Sequence, residues 1–241
     1  MTSTKTHPWQ CPRCGRRNPD LALGELCPHD GVVLVPEQTL KTYPKDPFLG
    51  LIIDDRYRLF DILGMGGFGS VYRALDVVTH RQVAIKTIRP GSDKQGADAR
   101  TRFLQEARLL AELENERIVE VYHFGAANLS QEGTHGFDEL LYMVLELVPG
   151  LSLKRLIRRE KLIPVRRAVN IVMQILDGLA HAHDHGLIHR DLKPGNILVV
   201  EGERDTVKVI DFGIAKVLEE NEDHDSPKTG TGLVLGTVRY M

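Results

Sequence analysis

His189-Arg190-Asp191-Leu192-Lys193-Pro194-Gly195-Asn196, with Asp211-Phe212-Gly213 downstream, is the stretch on which the reading of this chain turns. It brings two carboxylates, a lysine, an asparagine and a glycine hinge into a short span of loop and strand. One carboxylate can orient a hydroxyl and accept its proton, and the lysine can neutralise developing negative charge. The asparagine and the second aspartate offer the hard oxygens that magnesium prefers. That is the inventory phosphoryl transfer requires.

The spacing H-R-D-x-K-x-x-N followed by D-F-G matches the catalytic loop and metal-binding motif of protein kinases, and the chain resembles that family. The resemblance implies that Asp191 aligns the incoming hydroxyl, Lys193 reaches the γ-phosphate, and Asn196 and Asp211 bind magnesium. Lysine at position 193 is the pattern of serine/threonine kinases, since tyrosine kinases usually carry alanine there. Residues 197–200 and 207–210 read as short strands around the turn 201–205, and by the resemblance Leu198 would cap the adenine from below.

Upstream, 164–185 is the clearest helix, with Ala168, Ile171, Val172, Ile175, Leu176 and Leu179 at the spacing of one buried face. His181, His183 and His185 end it. A pair at i, i+4 could hold a metal, but no H-E-x-x-H lies between them, and His183 matches a histidine that often precedes the catalytic loop in this family. A structural role is expected. Downstream, 217–232 is a polar, acidic loop with Ser226, Thr229 and Thr231, and Gly236-Thr237-Val238-Arg239-Tyr240-Met241 resembles the start of a peptide-substrate platform. Thr229 and Thr231 are the expected activating phosphosites, ahead of Ser226, with Arg190 placed to pair with a loop phosphate. The A-P-E signature and the helices after it are absent from the chain, and by the resemblance much of the 164–185 stripe packs on those helices.

Ahead of this region, Tyr57–Leu63 alternates, Gly64-Met65-Gly66-Gly67-Phe68-Gly69 intervenes, and Val71–Leu75 resumes as strand. G-x-G-x-x-G alone could be a dinucleotide fingerprint, but that loop opens a helix, whereas here a hairpin continues. Glycines at 64, 66 and 69 let the backbone fold closely over a triphosphate. Val83-Ala84-Ile85-Lys86 matches the kinase V-A-I-K strand. Residues 98–113 have helical composition, and Glu106 sits on the buried stripe of Phe103, Ala107, Leu110 and Ala111, where an unpaired carboxylate is costly. The resemblance pairs Glu106 with Lys86. Ile118–Phe124 and Leu140–Leu147 read as strands, separated by 125–138, an insertion expected to be mobile. By the resemblance, Leu145 stands behind the adenine and 146–148 is the hinge. The implied nucleotide site is Leu63, Gly64, Gly66, Gly69, Val71, Ala84, Lys86, Glu146, Val148 and Leu198.

All three cysteines fall between positions 11 and 27. Cys11-Pro12-Arg13-Cys14-Gly15 is a C-x-x-C knuckle, and Cys27-Pro28-His29-Asp30-Gly31 is a second one with Asp30 in the fourth-cysteine register. Such knuckles supply zinc two ligands at a time. Asp30 is favoured by register, and His29 stays open because imidazole commonly partners three thiolates. The bland alternative is three free thiols in a tail. The segment resembles short zinc ribbons ahead of some bacterial kinases, several of which carry aspartate here. Arg13, Arg16 and Arg17 read as a solvated face rather than a nucleic-acid contact.

A 241-residue chain with 42% hydrophobic and 27% charged residues has the composition of a folded protein. Its net charge of −2 carries no overall basic field, so no nucleic-acid partner is expected. No signal-peptide h-region opens it, and no apolar run reaches the roughly 20 residues of a bilayer helix. A cytoplasmic location is expected, with an anchor beyond Met241 left open. The expected architecture is α+β: a zinc ribbon at 1–35, a linker at 36–53, a kinase small lobe at 54–148 and an incomplete large lobe at 149–241. The expected function is an ATP-, magnesium- and zinc-using serine/threonine protein kinase acting on protein hydroxyls, with a dimer serving trans-autophosphorylation. Its rival is a nucleotide-binding or scaffolding fragment without transferase activity. A small-molecule phosphotransferase on the same fold is the weaker third choice.

Overall fold

The computed structural model describes residues 8–18, 20–66, 69–88, 94–129 and 139–212; the side chains at 94–99, 102 and 106 are outside that description. The chain divides into two compact units, one of Met1–Pro90 with Phe124–Leu147 and the other of Gly91–His123 with Val148–Met241.

In the first unit, a three-stranded sheet in the order β2-β1-β3 joins β1 (Trp9–Gln10), β2 (Arg17–Asn18) and β3 (Val35–Pro36). Cys11, Cys27 and Leu34 are its small core, backed by Trp9, Leu21 and Val32. A six-stranded sheet follows, in the order β4-β5-β6-β7-β9-β8. Its strands are β4 (Ile52–Ile53), β5 (Tyr57–Gly66), β6 (Gly69–Asp76), β7 (Arg81–Ile88), β8 (Val121–Asn128) and β9 (Glu139–Glu146). Alternation buries Tyr57, Leu59, Tyr72, Ala74, Val83, Ile85, Tyr142 and Val144 on one face. β5 carries two register shifts, one between Leu59 and Asp61 and one between Ile62 and Gly64.

Residues 36–53 differ from the linker their prolines and polar residues suggest. They hold helix α1 (Glu37–Thr42) and send Phe48, Leu49, Leu51 and Ile53 into the sheet's core, with Leu40 and Tyr43 packed beside them. Pro36 caps α1 with extended backbone, where a missing N–H costs nothing. Phe48 meets the Tyr72 ring edge-on at 6.3 Å between centroids, and the Tyr72 hydroxyl donates to Asp46. Asp46 also accepts the Phe48 and Leu49 amides, both at 3.0 Å, and Thr39 donates to Asp61 at 2.6 Å. This stretch is a strap over the sheet. Its prolines sit at a helix start and in turns, so they leave the buried residues between them untouched.

The second unit contains α2 (Lys94–Ala111), α3 (Leu153–Glu160), α4 (Val165–Asp184) and a sheet ordered β10-β11-β12, made by β10 (Leu151–Ser152), β11 (Ile197–Val200) and β12 (Thr206–Val209). Ser152 caps α3 by accepting the Arg155 amide. β12 is flanked by 117–119: Val209 donates to the Arg117 carbonyl at 2.7 Å, and Val119 donates to the Val209 carbonyl at 3.0 Å. The Gln174 amide bonds both the Asp205 carbonyl and the Val207 N–H, fastening α4 to the β11–β12 turn.

The expected stripe on α4 is only partly buried. Ile171 is 2% exposed, but Val172 is 51% and Leu176 53% exposed, and Val165, Val169 and Met173 are exposed beside them. The face that meets β12 and its neighbours is instead Ile171, Gly178 and Ala182, with Gln174 between. A Cβ on Gly178 would lie 3.0 Å from that of Arg117, so close approach decides which face turns inward.

Candidate active site

Backbone and histidine together shape the catalytic loop. Leu187 and His189 are buried, and Arg190 then takes φ +58, a left-handed conformation uncommon away from glycine. His189 Nε2 lies 3.0 Å from the Ile210 carbonyl, which can only accept, so Nε2 bears the proton. Nδ1 is then the acceptor for the Asp191 N–H at 3.3 Å. Burial in this neutral state lowers the histidine's affinity for a second proton below its ordinary value, although the Ile210 carbonyl pulls the other way. The ring also stacks on Phe212 at 4.7 Å. His189 thus binds the Asp191 loop to the Asp211-Phe212 segment, a positioning role that depends on Ile210 and Phe212, far along the chain.

Asp191 is the focus of the polar side chains. Lys193 donates to its Oδ2 at 2.5 Å, and Asn196 Nδ2 donates to the same oxygen at 3.1 Å and to the Asp191 carbonyl at 3.0 Å. Pro194–Asn196 form a 3-10 turn, which brings Asn196, nearly fully buried, back under the loop. The Ile210 N–H donates to the Asn196 carbonyl at 2.9 Å, which brings the backbone just before Asp211 against Asn196. Asp211 has φ +57, a second left-handed non-glycine residue in the same constellation. Gly213 and the loop residues Ser226, Thr229, Thr231 and Thr237 lie outside the described residues.

Of the nucleotide-motif residues in the first unit, Gly64, Gly66, Gly69, Val71, Ala84 and Lys86 share one sheet face. Gly64, Val71, Lys86 and Met143 form one cross-strand row, and Asp61, Arg73, Ala84 and Leu145 form the next. A Cβ on Gly69 would fall 1.8 Å from the Thr87 carbonyl oxygen, so backbone contact requires that glycine. Among the described residues, Gly64 has nothing within 4 Å of such an atom, and Gly66 has the Gly69 oxygen at 3.7 Å. Packing among the described residues therefore does not require those two. Leu63 is exposed beside this loop; Glu146 ends β9 opposite Val83. Val148 and Leu198 belong to the second unit, Leu198 pairing with Ser152 and Lys208. The backbone of Glu106 lies in α2, and its expected pairing with Lys86 lies outside the described residues. The insertion expected at 125–138 begins later than its composition suggests: β8 continues through Asn128, with Ala127 and Leu129 buried in the sheet's core, and 130–138 lie outside the described residues.

The two knuckles repeat one geometry. Gly15 N–H donates to the Cys11 carbonyl at 3.0 Å and Gly31 N–H to the Cys27 carbonyl at 2.9 Å, both glycines having positive φ. One ligand atom from each of Cys11, Cys14, Cys27 and Asp30 lies within 4.8 Å of the others, the one such group among the described residues. Cys14 and Cys27 sulfurs are 3.9 Å apart, close to the roughly 3.8 Å edge of a tetrahedron with zinc–sulfur bonds of about 2.3 Å. Asp30 Oδ2 lies 3.2 Å from Cys11 Sγ and 3.7 Å from Cys27 Sγ, whereas the His29 side chain is 54% exposed. The donor set fits zinc. Burial pushes the Cys11 thiol up to about 12, and the Cys14 and Cys11 thiols hold Asp30 below the usual carboxylate range. The rings of His181 and His185 stack at 4.5 Å, and His185 Nδ1 lies 2.8 Å from the His181 carbonyl.

Residues 57–241 match the family described as protein kinase domain. The chain belongs to that family. The kinase domain is 38% identical over 189 residues to a serine/threonine-protein kinase PknB of Mycolicibacterium smegmatis, covering 78% of this chain and 28% of the relative. It is 36% identical over 197 residues to PknA of Mycobacterium tuberculosis, covering 81% and 42%. Against pkn3 of Myxococcus xanthus it is 36% identical over 206 residues, covering 84% and 35%. The chain thus spans less than half the length of these relatives. Among the described residues, no helix is long and apolar enough to cross a membrane.

Proposed function

We propose that this chain carries the catalytic apparatus of a serine/threonine protein kinase that moves the γ-phosphoryl group of ATP to protein hydroxyls. The observation that carries the reading is the Asp191 carboxylate, fixed by Lys193 and Asn196 in a loop anchored by His189. A carboxylate held this way can receive the proton of a serine or threonine hydroxyl as its oxygen bonds to the γ-phosphorus. The bond from that phosphorus to the bridging oxygen breaks, and ADP takes the electron pair. Lys193 stands within reach of the transferred group, and Lys86 would neutralise the α- and β-phosphates. The lack of any close neighbour over Gly64 among the described residues supports a phosphate chain lying against that backbone. Leu63, Val71, Ala84, Glu146, Val148 and Leu198 would contact the base and ribose, and Glu106 would pair with Lys86.

Asn196 and Asp211 would hold magnesium: Asn196 commits its Nδ2 to Asp191, which reserves its hard Oδ1 for a cation. Magnesium, when bound, spreads the charge of the phosphate oxygens. Cys11, Cys14, Cys27 and Asp30 would hold zinc in a structural site, and a cytoplasmic setting suits thiols kept for a metal. Thr229 and Thr231 are the proposed activating sites, reached in trans within a dimer.

The test is transfer of labelled phosphate from ATP to a serine/threonine protein substrate. Lys86→Met and Asp211→Asn should each abolish it while leaving melting unchanged. A Lys86→Met protein labelling at the wild-type rate would overturn the assignment. The exposed α4 face favours a second reading for the 241 residues alone, namely nucleotide binding with little transfer. Comparing this chain with one extended through A-P-E and the helices after it separates the two; equal turnover rejects the second.

A further inference from the structure

The ribbon and the glycine-loop hairpin are physically continuous. Val33 N–H donates to the Gly50 carbonyl at 3.0 Å, Gly50 N–H donates to the Leu59 carbonyl at 3.1 Å, and Leu59 N–H donates to the Leu51 carbonyl at 2.9 Å. This is an unbroken path of backbone hydrogen bonds from the ribbon to β5. Pro12, inside the first knuckle, sits on Gly50: a Cβ there would lie 2.6 Å from Pro12 Cγ, and φ is +89. From the other side, Arg58 Nη1 donates to the Gly24 carbonyl at 2.8 Å, and a Cβ on Gly24 would fall 2.5 Å from Leu75 Cδ2. Trp9 meets Phe60 edge-on at 6.3 Å. The two glycines, both at positive φ, allow an approach that no other residue would.

The contacted residues lie on a particular face. Arg58 pairs with Leu75 and Leu75 with Gln82, whereas Val71 pairs with Lys86. Positions 71, 73 and 75 share a side of β6, so the ribbon covers the distal end of the face that carries Val71, Ala84 and Lys86. Leu75 and Val71 are about 13 Å apart along the strand at 3.3 Å per residue. A segment as short as the ribbon cannot bury enough apolar surface to fold unaided, and its core is chiefly Cys11, Cys27 and Leu34. The metal must supply the difference.

We propose that the ribbon is a built-in clamp on the nucleotide-binding hairpin, so that zinc occupancy of the knuckles sets the rigidity of β5–β6 and, through it, the affinity for nucleotide. The clamp rests on the zinc reading above. Zinc loss frees residues 8–34, removes Arg58's acceptor and the cover of Leu75 and Phe60, and leaves Gly50 without its partner from Val33. The hairpin then opens more often, and the glycine loop at its far end is less well ordered for phosphates.

The experiment uses the whole chain, with zinc measured by elemental analysis and amide hydrogen exchange followed before and after chelation. One zinc per chain is expected. Stripping it should speed exchange about tenfold or more across 57–66 and 69–76, leave 197–209 unchanged, and weaken binding of a fluorescent ADP analogue several-fold. Arg58→Ala, which keeps all four ligands, should retain zinc yet show part of the same increase in exchange and loss of affinity. Faster exchange confined to 8–36, with nucleotide affinity intact, overturns the clamp while leaving the zinc site standing. A full zinc complement in Arg58→Ala with wild-type exchange and affinity also overturns it. Absence of zinc from the purified chain removes both.

Discussion

The strap over the first unit's sheet and helix α4 of the second unit are both apolar segments, yet they end in opposite states. Residues 36–53 carry Pro36, Pro44 and Pro47 among polar neighbours, but Phe48 and Ile53 are wholly buried. Helix α4 has clean amphipathic spacing, but Val172, Met173 and Leu176 stay in solvent. Hydrophobic pattern states what a segment can bury; only the presence of a surface to cover decides what it does bury. The strap has a complete sheet face beneath it. On α4, one side has Arg117 and β12, and the opposite side has no described element against it.

Polar bonds follow the same division. In the first unit they lock buried groups: Arg56 grips Asp76 through two nitrogens, and Asp76 also accepts from Val78, Thr79 and the Thr79 hydroxyl. That arrangement, Arg56 first, holds Asp76 far below the usual carboxylate range. In the second unit, Arg159 and Arg167 tie Glu160, Glu201 and Asp205 together across α3, α4 and the β11–β12 turn. Arg159 above all holds Glu201 down at about 2. Arg159 and Glu201 are partly in solvent, where such a pair adds little by itself, whereas Arg167 and Glu160 are half-buried and Asp205 is buried.

The largest expected effect falls on chemistry rather than on either segment. In a chain that transfers phosphate, Asp191→Ala should lower kcat by about 10²–10⁴-fold with melting unchanged, measured by single-turnover assay. A smaller loss would mean that Asp191 is not the proton acceptor. Phe48→Ala tests the strap directly and should cost about 3–5 kcal/mol in denaturant titration, because it empties a site packed by Tyr72. A linker-like cost near zero would erase the contrast. Ile171→Ala, on the inward side of α4, should cost about 2–5 kcal/mol.

The fourth expectation concerns pH. His189 has its proton affinity lowered by burial, so the folded state prefers the neutral ring. Its contribution is therefore complete above the ordinary histidine value of about 6.5 and is lost as pH falls through the depressed folded value. Acidification should loosen the catalytic loop, seen as faster exchange of the Asp191 amide, and His189→Gln should flatten that dependence. Smallest of all, Leu176→Ala should change stability by no more than about 0.5 kcal/mol in the 241-residue chain. A cost like that of Ile171→Ala would show that the exposed face is covered after all.

The catalytic inventory was legible in the sequence because it consists of adjacent residues: Asp191, Lys193 and Asn196 lie so close that a loop and one 3-10 turn suffice to gather them. Local spacing also placed β5, β6 and β7 and both knuckles, since alternation and C-x-x-C turns are short-range signals. What only the tertiary structure decided involves residues far apart in the chain. The proton on His189 Nε2 depends on a carbonyl at Ile210. The needs of Gly24 and Gly50 come from Leu75 and Pro12, and the closeness of the Asp30 carboxylate to the sulfurs of both knuckles comes from how two separate turns face each other. The strap and α4 make the same point for packing. Sequence periodicity fixes the angular position of side chains around an element, but the surface that meets them is assembled from other parts of the chain, and burial is a property of both.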